Sequence, residues 1–362
     1  MYKIKRYQNT VSLFQDENHE YNFPQTRYQG SKRKLIDWIK LSLTDLKFQT
    51  TLDLFGGTGS VSYLFKTMGK TVTFNDNLKF NSIIAKALIE NNNTILSIEE
   101  ALILFKKSPN INYPNKIEKY FKDIYYNEEE NRWLDVVITN INLIQDEYKR
   151  SIAFYALFQS CLIKRPYNLF HRKNLGIRNK DVLRTFGNKK TWDTHFEKHF
   201  LKFIEEANCS IFTNTQVHQV LNLNSNEVLN LNYDLVYMDP PYISTNGTGV
   251  NYFDFYHFLE GMLDYSNWEQ RIDFNSKHLK IKKEKDGWCD KKLILKEFKA
   301  TINQFKESTI VISYRDDGIP TVEQIVDMLE QTGKKVEIKY FNYKYVLSNK
   351  KVNEVLIIGT NV

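Results

Sequence analysis

Hydrophobic positions along this chain follow two rhythms. Short apolar runs stop at turn residues or acids: Leu235-Val236-Tyr237-Met238 before Asp239, Thr51-Leu52-Asp53-Leu54 before Gly56-Gly57, and Thr71-Val72-Thr73-Phe74 before Asn75-Asp76. Runs of that length with such boundaries read as buried strands. Between them the spacing turns helical. Val61 to Lys66 is an amphipathic stretch, and Ile98 to Lys107 and Tyr148 to Ile163 carry apolar residues at i, i+3 and i+4. Residues from about 95 to 205 therefore read as mostly helical. Ser210 to Asn214 resumes the strand pattern shortly before Tyr233 to Met238. Thr309 to Tyr314 reads as a strand, Gln324 to Leu329 as a helix, and Lys335 to Tyr345 with Val352 to Gly359 as a closing hairpin. The polar, Asn-rich stretch Leu221 to Asn226 reads as a surface loop.

Two of the strand ends carry candidate chemistry. In Asp239-Pro240-Pro241-Tyr242 the prolines fix the backbone and remove two N–H donors, so acid and ring project from an irregular main chain. Asp239 can accept from an exocyclic amino group, and Tyr242 offers a face on which a planar base stacks. These are the needs of an enzyme acting on the amino group of a flipped-out nucleobase; a proline-rich turn after a core strand is the plain alternative. In Thr51 to Ser60 a strand runs into Phe55-Gly56-Gly57-Thr58-Gly59 and then a helix, so the backbone can approach a bound cofactor at a helix N-terminus. Asp76 ends the next strand, where an acid commonly bonds ribose hydroxyls.

These residues resemble the D12 class of adenine-N6-specific DNA methyltransferases, in the alpha arrangement of motifs. Arg27 to Leu35, with Tyr28, Gly30, Lys32 and Lys34, is similar to that family's N-terminal (Y/W)xGxK element. Asp53 to Gly59 is similar to its DxFxGxG motif, Asn75-Asp76 to its ribose-binding pair, and Asp239 to Tyr242 to its DPPY motif. Tyr252 to Leu259, Val311 to Tyr314 and Asn353 to Ile358 extend the likeness over most of the chain. Gln216-Val217 stands where Dam-like members have an acidic-aromatic pair. The resemblance implies an α/β fold: a Rossmann-like S-adenosylmethionine-dependent methyltransferase sheet with an inserted, mainly helical DNA-recognition domain. Asp53 and Asp239 stand 186 positions apart, which leaves room for that insert. The expected division is residues 1–95 for the first catalytic part, 96–205 for the insert and 206–362 for the second catalytic part.

By the same resemblance Tyr28, Gly30, Lys32, Lys34, Asp53, Phe55, Gly57, Gly59, Asp76 and Asp239 hold S-adenosyl-L-methionine, and Asp239, Pro240 and Tyr242 serve catalysis. Phe55 fits core packing as well as a place beneath the cofactor, and Lys32 to Lys34 also fit the polar face of a helix. Hydrogen bonds from adenine N6 to the Asp239 carboxylate and the Pro240 carbonyl would localise the nitrogen lone pair and aim it at the methyl group. No metal is expected. Alternatives are methylation of RNA adenine or of cytosine N4, and a catalytically decayed DNA-binding protein.

Charge adds a partner. The 362 residues carry a net +7. Between Lys164 and Lys190 stand nine lysines and arginines against one acid, with Tyr167, Asn168, Phe170 and His171 among them. An isolated run of this kind is usually a solvated face. Within an insert expected to bind DNA, Lys164, Arg165, Asn168, Arg172, Lys173, Arg178, Lys180 and Arg184 become candidate contacts to double-stranded DNA. The segment Arg165 to Arg172 departs from the FNxP-type element of Dam-like members. Cys161, Cys209 and Cys289 form no CxxC pair, which indicates neither zinc nor a disulfide framework. The chain shows no apolar run of membrane length. The resulting expectation is a monomeric cytoplasmic enzyme of restriction–modification type, functionally paired with a restriction endonuclease.

Overall fold

The computed structural model describes residues 4–7, 21–180, 189–244, 251–282, 287–343 and 352–361. Its strands are β1 (Ile4–Tyr7), β2 (Thr50–Asp53), β3 (Thr71–Asn75), β4 (Gln219–Leu221), β5 (Leu235–Met238), β6 (Ile243–Ser244), β7 (Thr309–Arg315), β8 (Gly318–Ile319), β9 (Lys335–Tyr343) and β10 (Val352–Thr360). Eight of them form one sheet in the order β1-β9-β10-β7-β5-β2-β3-β4, and β6 pairs with β8. The neighbours from β4 to β7 are all parallel. The long hairpin of β9 and β10 closes the sheet antiparallel to β7. β5 is buried at every position, as its uninterrupted apolar run requires of a strand covered on both faces.

From β2 the chain proceeds outward to β3 and β4, then returns to lay β5 on the other side of β2. This reversal opens a crevice at the carboxyl ends of β2 and β5, where ligands bind in open α/β sheets. The register sets Asp53 beside Tyr237, and the Leu54 amide donates to the Tyr237 carbonyl at 3.0 Å. Asp53 and Asp239 thus reach the same crevice from adjacent strands.

Between β3 and β4 the chain is helical, as its spacing predicts. The principal helices are Ile98–Ile103, Glu128–Asn142, Glu147–Ile163 and Phe196–Ser210. Helices Ile98–Ile103 and Glu128–Asn142 each begin with a capping box, Ser97 with Glu100 and Asn127 with Glu130. Helix Glu147–Ile163 is buried almost all round, and Phe158 meets Phe80 of helix Lys79–Ala85 edge to face at 5.9 Å. One apolar cluster consequently runs from the sheet into these helices. Among the described residues no helix is long and apolar enough to cross a membrane.

The strand expected at Ser210 to Asn214 does not form; the pairing strand at this sheet edge is β4. Ser210 ends a helix, and the next residues are held by side chains rather than a ladder. The Asn214 side-chain amide donates to the Lys66 and Lys70 carbonyls, and Thr215 takes a left-handed φ of 67°. Of the closing hairpin, Lys344 and Tyr345 lie outside the described residues.

Candidate active site

A cavity of about 490 Å³ fills the crevice, within the usual range for small-molecule sites. Its floor is the turn after β2. A Cβ on Gly56 would stand 2.1 Å from the Phe74 ring, so only glycine fits there. Gly57 and Gly59 have φ of 52° and 82°, the left-handed region that favours glycine. The turn feeds the N-terminus of helix Ser60–Thr67. Asp76 braces it: one carboxylate oxygen accepts from the Gly57 amide and the other from the Leu78 amide, both at 2.8 Å.

Asp53 is almost wholly buried. Its Oδ2 accepts from the Ser62 hydroxyl at 2.7 Å, while Oδ1 has no donor. Burial pushes its carboxyl up to about 7, against the opposing Ser62 hydrogen bond. An orphaned acceptor on the cavity wall calls for a ligand donor, and a cationic one would serve best.

At the β5 end, Lys32 Nζ lies 3.0 Å from Asp239 Oδ1 and 3.4 Å from Glu354 Oε2. Lys32 is buried, which works against its charge, but the two acids more than offset this and hold its pKa well above the ordinary lysine value. Asp239 is pushed up to about 6 by burial and by Glu354, with Lys32 opposing. The Tyr242 ring has the Arg315 guanidinium 5.2 Å from its centroid, and Arg315 is itself fixed on Asp317. Tyr28 stacks between Tyr252 and Tyr256, at centroid distances of 5.4 and 4.7 Å. A Cβ on Gly30 would meet the Tyr252 hydroxyl at 2.6 Å.

Tyr28, Gly30, Lys32, Asp53, Phe55, Gly57, Asp76, Asp239, Pro240 and Tyr242 all line this cavity. Two further sequence candidates do not. Lys34 faces outward on the turn of helix whose inner side carries Lys32, and Gly59 is the cap of helix Ser60–Thr67 behind the floor.

The opposite wall was not expected from sequence. Leu223 to Glu227 and Trp288 line it, so the stretch read as a surface loop is part of the cavity. Asn75 clamps that loop: its amide donates to the Leu223 carbonyl and its oxygen accepts from the Leu223 amide. Trp288 donates to Ser225 Oγ at 2.9 Å and packs edge to face on Phe55. Gln216-Val217 lies elsewhere; Val217 is exposed and Gln216 accepts from Thr71.

The basic segment divides. Lys164, Arg165 and Arg178 are buried, against the expectation of DNA contacts. Lys164 and Arg178 both pair with Glu130, at 2.9 and 2.7 Å. Arg165 donates to the carbonyls of Leu169, Arg172 and Lys173 and stacks 4.5 Å over Tyr125. Buried cations need such partners, and these bonds fold the segment back on itself. Arg172, Lys173 and Lys180 are exposed, Asn168 is half-buried, and Arg184 lies outside the described residues. The segment is tied to the cavity through the Phe170 amide, which donates to the Phe255 carbonyl at 2.9 Å. Phe255 belongs to helix Tyr252–Leu263, whose first residues line the cavity.

The family model for the D12 class of N6 adenine-specific DNA methyltransferases matches residues 28–328. The Type II methyltransferase M2.HphI of Haemophilus parahaemolyticus is 30% identical over 350 residues, covering 94% of this chain and 98% of that protein. The modification methylase LlaI of Lactococcus lactis subsp. lactis is 27% identical over 91% of this chain, which spans about half, 54%, of that relative's length. The Type II methyltransferase M.NlaIII of Neisseria lactamica is 25% identical over 88% of this chain and 92% of its own length.

Proposed function

The chain belongs to the D12 class of N6 adenine-specific DNA methyltransferases, and from that premise we propose how its cavity carries out site-specific methylation of DNA adenine. The observation that carries the reading is the meeting, in one crevice, of the glycine turn and Asp76 with Asp239, Pro240 and Tyr242. S-adenosylmethionine, when bound, supplies an electrophilic methyl group on a cationic sulfonium. Asp53 Oδ1 fits its α-amino group, the Asp76 carboxylate its ribose hydroxyls, and the slot between Phe55, Trp288 and the Leu223 to Glu227 loop its adenine ring. Gly56 and Gly57 allow the backbone approach such a ligand requires. No metal takes part in this reading.

The target adenine leaves the duplex and stacks on Tyr242. The Asp239 carboxylate and Pro240 carbonyl accept from its N6 hydrogens. Those bonds favour a pyramidal nitrogen whose lone pair points into the cavity, so the residues contribute orientation and preorganised charge rather than a covalent intermediate. Lys32 keeps Asp239 ionised near neutral pH despite its burial. Tyr28 and Tyr252 wall the target side, with Tyr256 packed behind Tyr28.

The helical region between β3 and β4 recognises the duplex. Arg172, Lys173 and Lys180 meet phosphates or base edges, with Asn168 beside them. Lys164, Arg165 and Arg178 act from within by shaping the segment that presents these groups. The relatives are named as type II and modification methylases, which supports a partnership with a restriction endonuclease of the same specificity.

The test is direct sequencing of modified bases in DNA from cells expressing the chain. N6-methyladenine confined to one short sequence is the expected result. Unmodified adenine, from a soluble protein that binds S-adenosylmethionine, would refute it.

A further inference from the structure

Glu354 lies in the closing strand and not among the residues that line the cavity, yet it is the second acid on Lys32. It sits on β10, 3% exposed, opposite Arg315 of β7 and Phe341 of β9. Lys32 bridges it to Asp239, with Nζ 3.4 Å from Glu354 and 3.0 Å from Asp239. A buried Lys32–Asp239 pair alone would be neutral. Glu354 adds a second carboxylate to this pair, in a place where buried charge is expensive. A fold selected for stability alone would carry an apolar residue here, as the next four positions, Val355 to Ile358, do.

We propose that Glu354 is a positioning residue for methyl transfer, acting through Lys32 to keep the Asp239 carboxylate available to the target amino group. This deepens the proposed function and rests on it. A lysine with one acidic partner would centre on Asp239 and occupy the lone pairs that the N6 hydrogens require. Sharing the lysine with Glu354 leaves Asp239 the better acceptor. The Asp239 carboxylate also faces the nitrogen that becomes positive as the methyl group arrives, where preorganised charge is most effective. The other titratable groups around Asp239 are Tyr237 on its own strand, Tyr242 beyond it, Tyr252 on the adjoining helix and Asp53 on β2. Around Glu354 they are Lys32, Asp239, Tyr242 and Arg315. Glu354 raises the Asp239 carboxyl and Lys32 lowers it. Removing the charge of Glu354 should therefore lower the pH at which Asp239 ionises while making it a poorer acceptor.

The experiment measures the single-turnover methylation rate from pH 5 to 9 for the wild type, Glu354→Gln and Glu354→Asp. Glu354→Gln should lose about tenfold in plateau rate, roughly 1.4 kcal/mol of barrier. Its acid limb should move to lower pH, and the KM for cofactor should stay within twofold. Glu354→Asp should shift the limb part of the way. A second readout uses no cofactor or DNA: the pH dependence of the thermal-stability difference made by Asp239→Asn should move down in the Glu354→Gln background. A role in folding alone would lower thermal stability and leave both midpoints in place, which overturns the proposal. If Glu354→Gln does not fold, an unshifted limb in Glu354→Asp overturns it equally. Wild-type protein that leaves adenine unmethylated in the same assay refutes the proposed function itself, and this inference with it.

Discussion

Replacing Asp239 by Asn should abolish turnover and stabilise the protein, and the stabilisation should depend on pH in a defined way. Asn matches the shape of a protonated Asp but cannot become an anion. In the folded chain burial pushes the Asp239 carboxyl up to about 6, against about 3.9 in an unfolded chain. Below pH 4 both states bind the proton, so the carboxyl adds no pH dependence there. Between pH 4 and 6 the unfolded chain has released it while the folded chain retains it, so stability falls as pH rises. Above pH 6 the loss is complete. Two pKa units correspond to about 3 kcal/mol; with the side chain 18% exposed to the cavity, about 2–3 kcal/mol is the expected scale. At roughly 2 °C per kcal/mol for a chain of this size, the Tm advantage of the variant should grow by about 5 °C from pH 4 to pH 7.5. Glu260 and Asp135 are also raised by burial, but neither feels Asp239 and both cancel in the difference; Asp53, raised by burial and in part by the Asp239 charge, titrates lower in the variant and adds to the same trend. Thermal unfolding of both proteins across pH, with methylation assayed at pH 7.5, checks this. A stability difference flat in pH would refute the reasoning that Asp239 is ionised at a cost, and measurable turnover would refute its role.

Other perturbations separate the parts of the site. Asp76→Ala should raise the dissociation constant for S-adenosylmethionine about 10- to 100-fold, since a charge-assisted hydrogen bond contributes roughly 1.5–3 kcal/mol; isothermal titration measures it, and an unchanged constant removes Asp76 from the ribose. Arg172→Ala with Lys173→Ala should reduce the slope of log affinity for duplex DNA against log salt by about 1.8, read by anisotropy titration at several salt concentrations. Arg165→Ala should leave three part-buried carbonyls without their donor and destabilise the fold by about 2–4 kcal/mol, seen in denaturant unfolding.

The legible part of this protein was the part where chemistry needs particular residues in short local patterns. The strand ends before Gly56 and Pro240 announce themselves because an apolar run must be buried and a glycine or proline must end it. Both cavity acids on adjacent strands were found in this way. What escaped depends on tertiary neighbours. The 222–226 loop is at the surface, as its polar residues suggest, with Ser225 alone buried; its place beside the cavity is set by hydrogen bonds from Asn75 and Trp288 in distant segments. Glu354 gave one faint signal, a single acid directly before the apolar run Val355 to Ile358. Ile211 and Phe212 form a short apolar run like that of a strand, but the segment is held instead by Asn214, whose side chain donates to the Lys66 and Lys70 carbonyls.

The basic segment shows why charge density is a poor guide to a surface. Nine cations lie between Lys164 and Lys190, and three of those proposed for DNA point inward. Their burial is tolerable because Glu130 and several main-chain carbonyls receive them. The same bonds make the segment rigid: Arg165 gathers the carbonyls of Leu169, Arg172 and Lys173, so the exposed side chains of Arg172 and Lys173 leave a fixed backbone. The Phe170–Phe255 bond then joins that backbone to the helix that begins on the cavity wall. Loss of Arg165 should accordingly affect two things that a surface phosphate contact would not: the stability of the fold, and the discrimination between the recognised sequence and its one-base variants. Loss of Arg172 or Lys173 should weaken binding while leaving stability intact. Comparing methylation of the recognised site with that of single-base variants, at a temperature where Arg165→Ala remains folded, distinguishes the two kinds of arginine; equal discrimination by wild type and Arg165→Ala would show that the braced segment is not what reads the DNA.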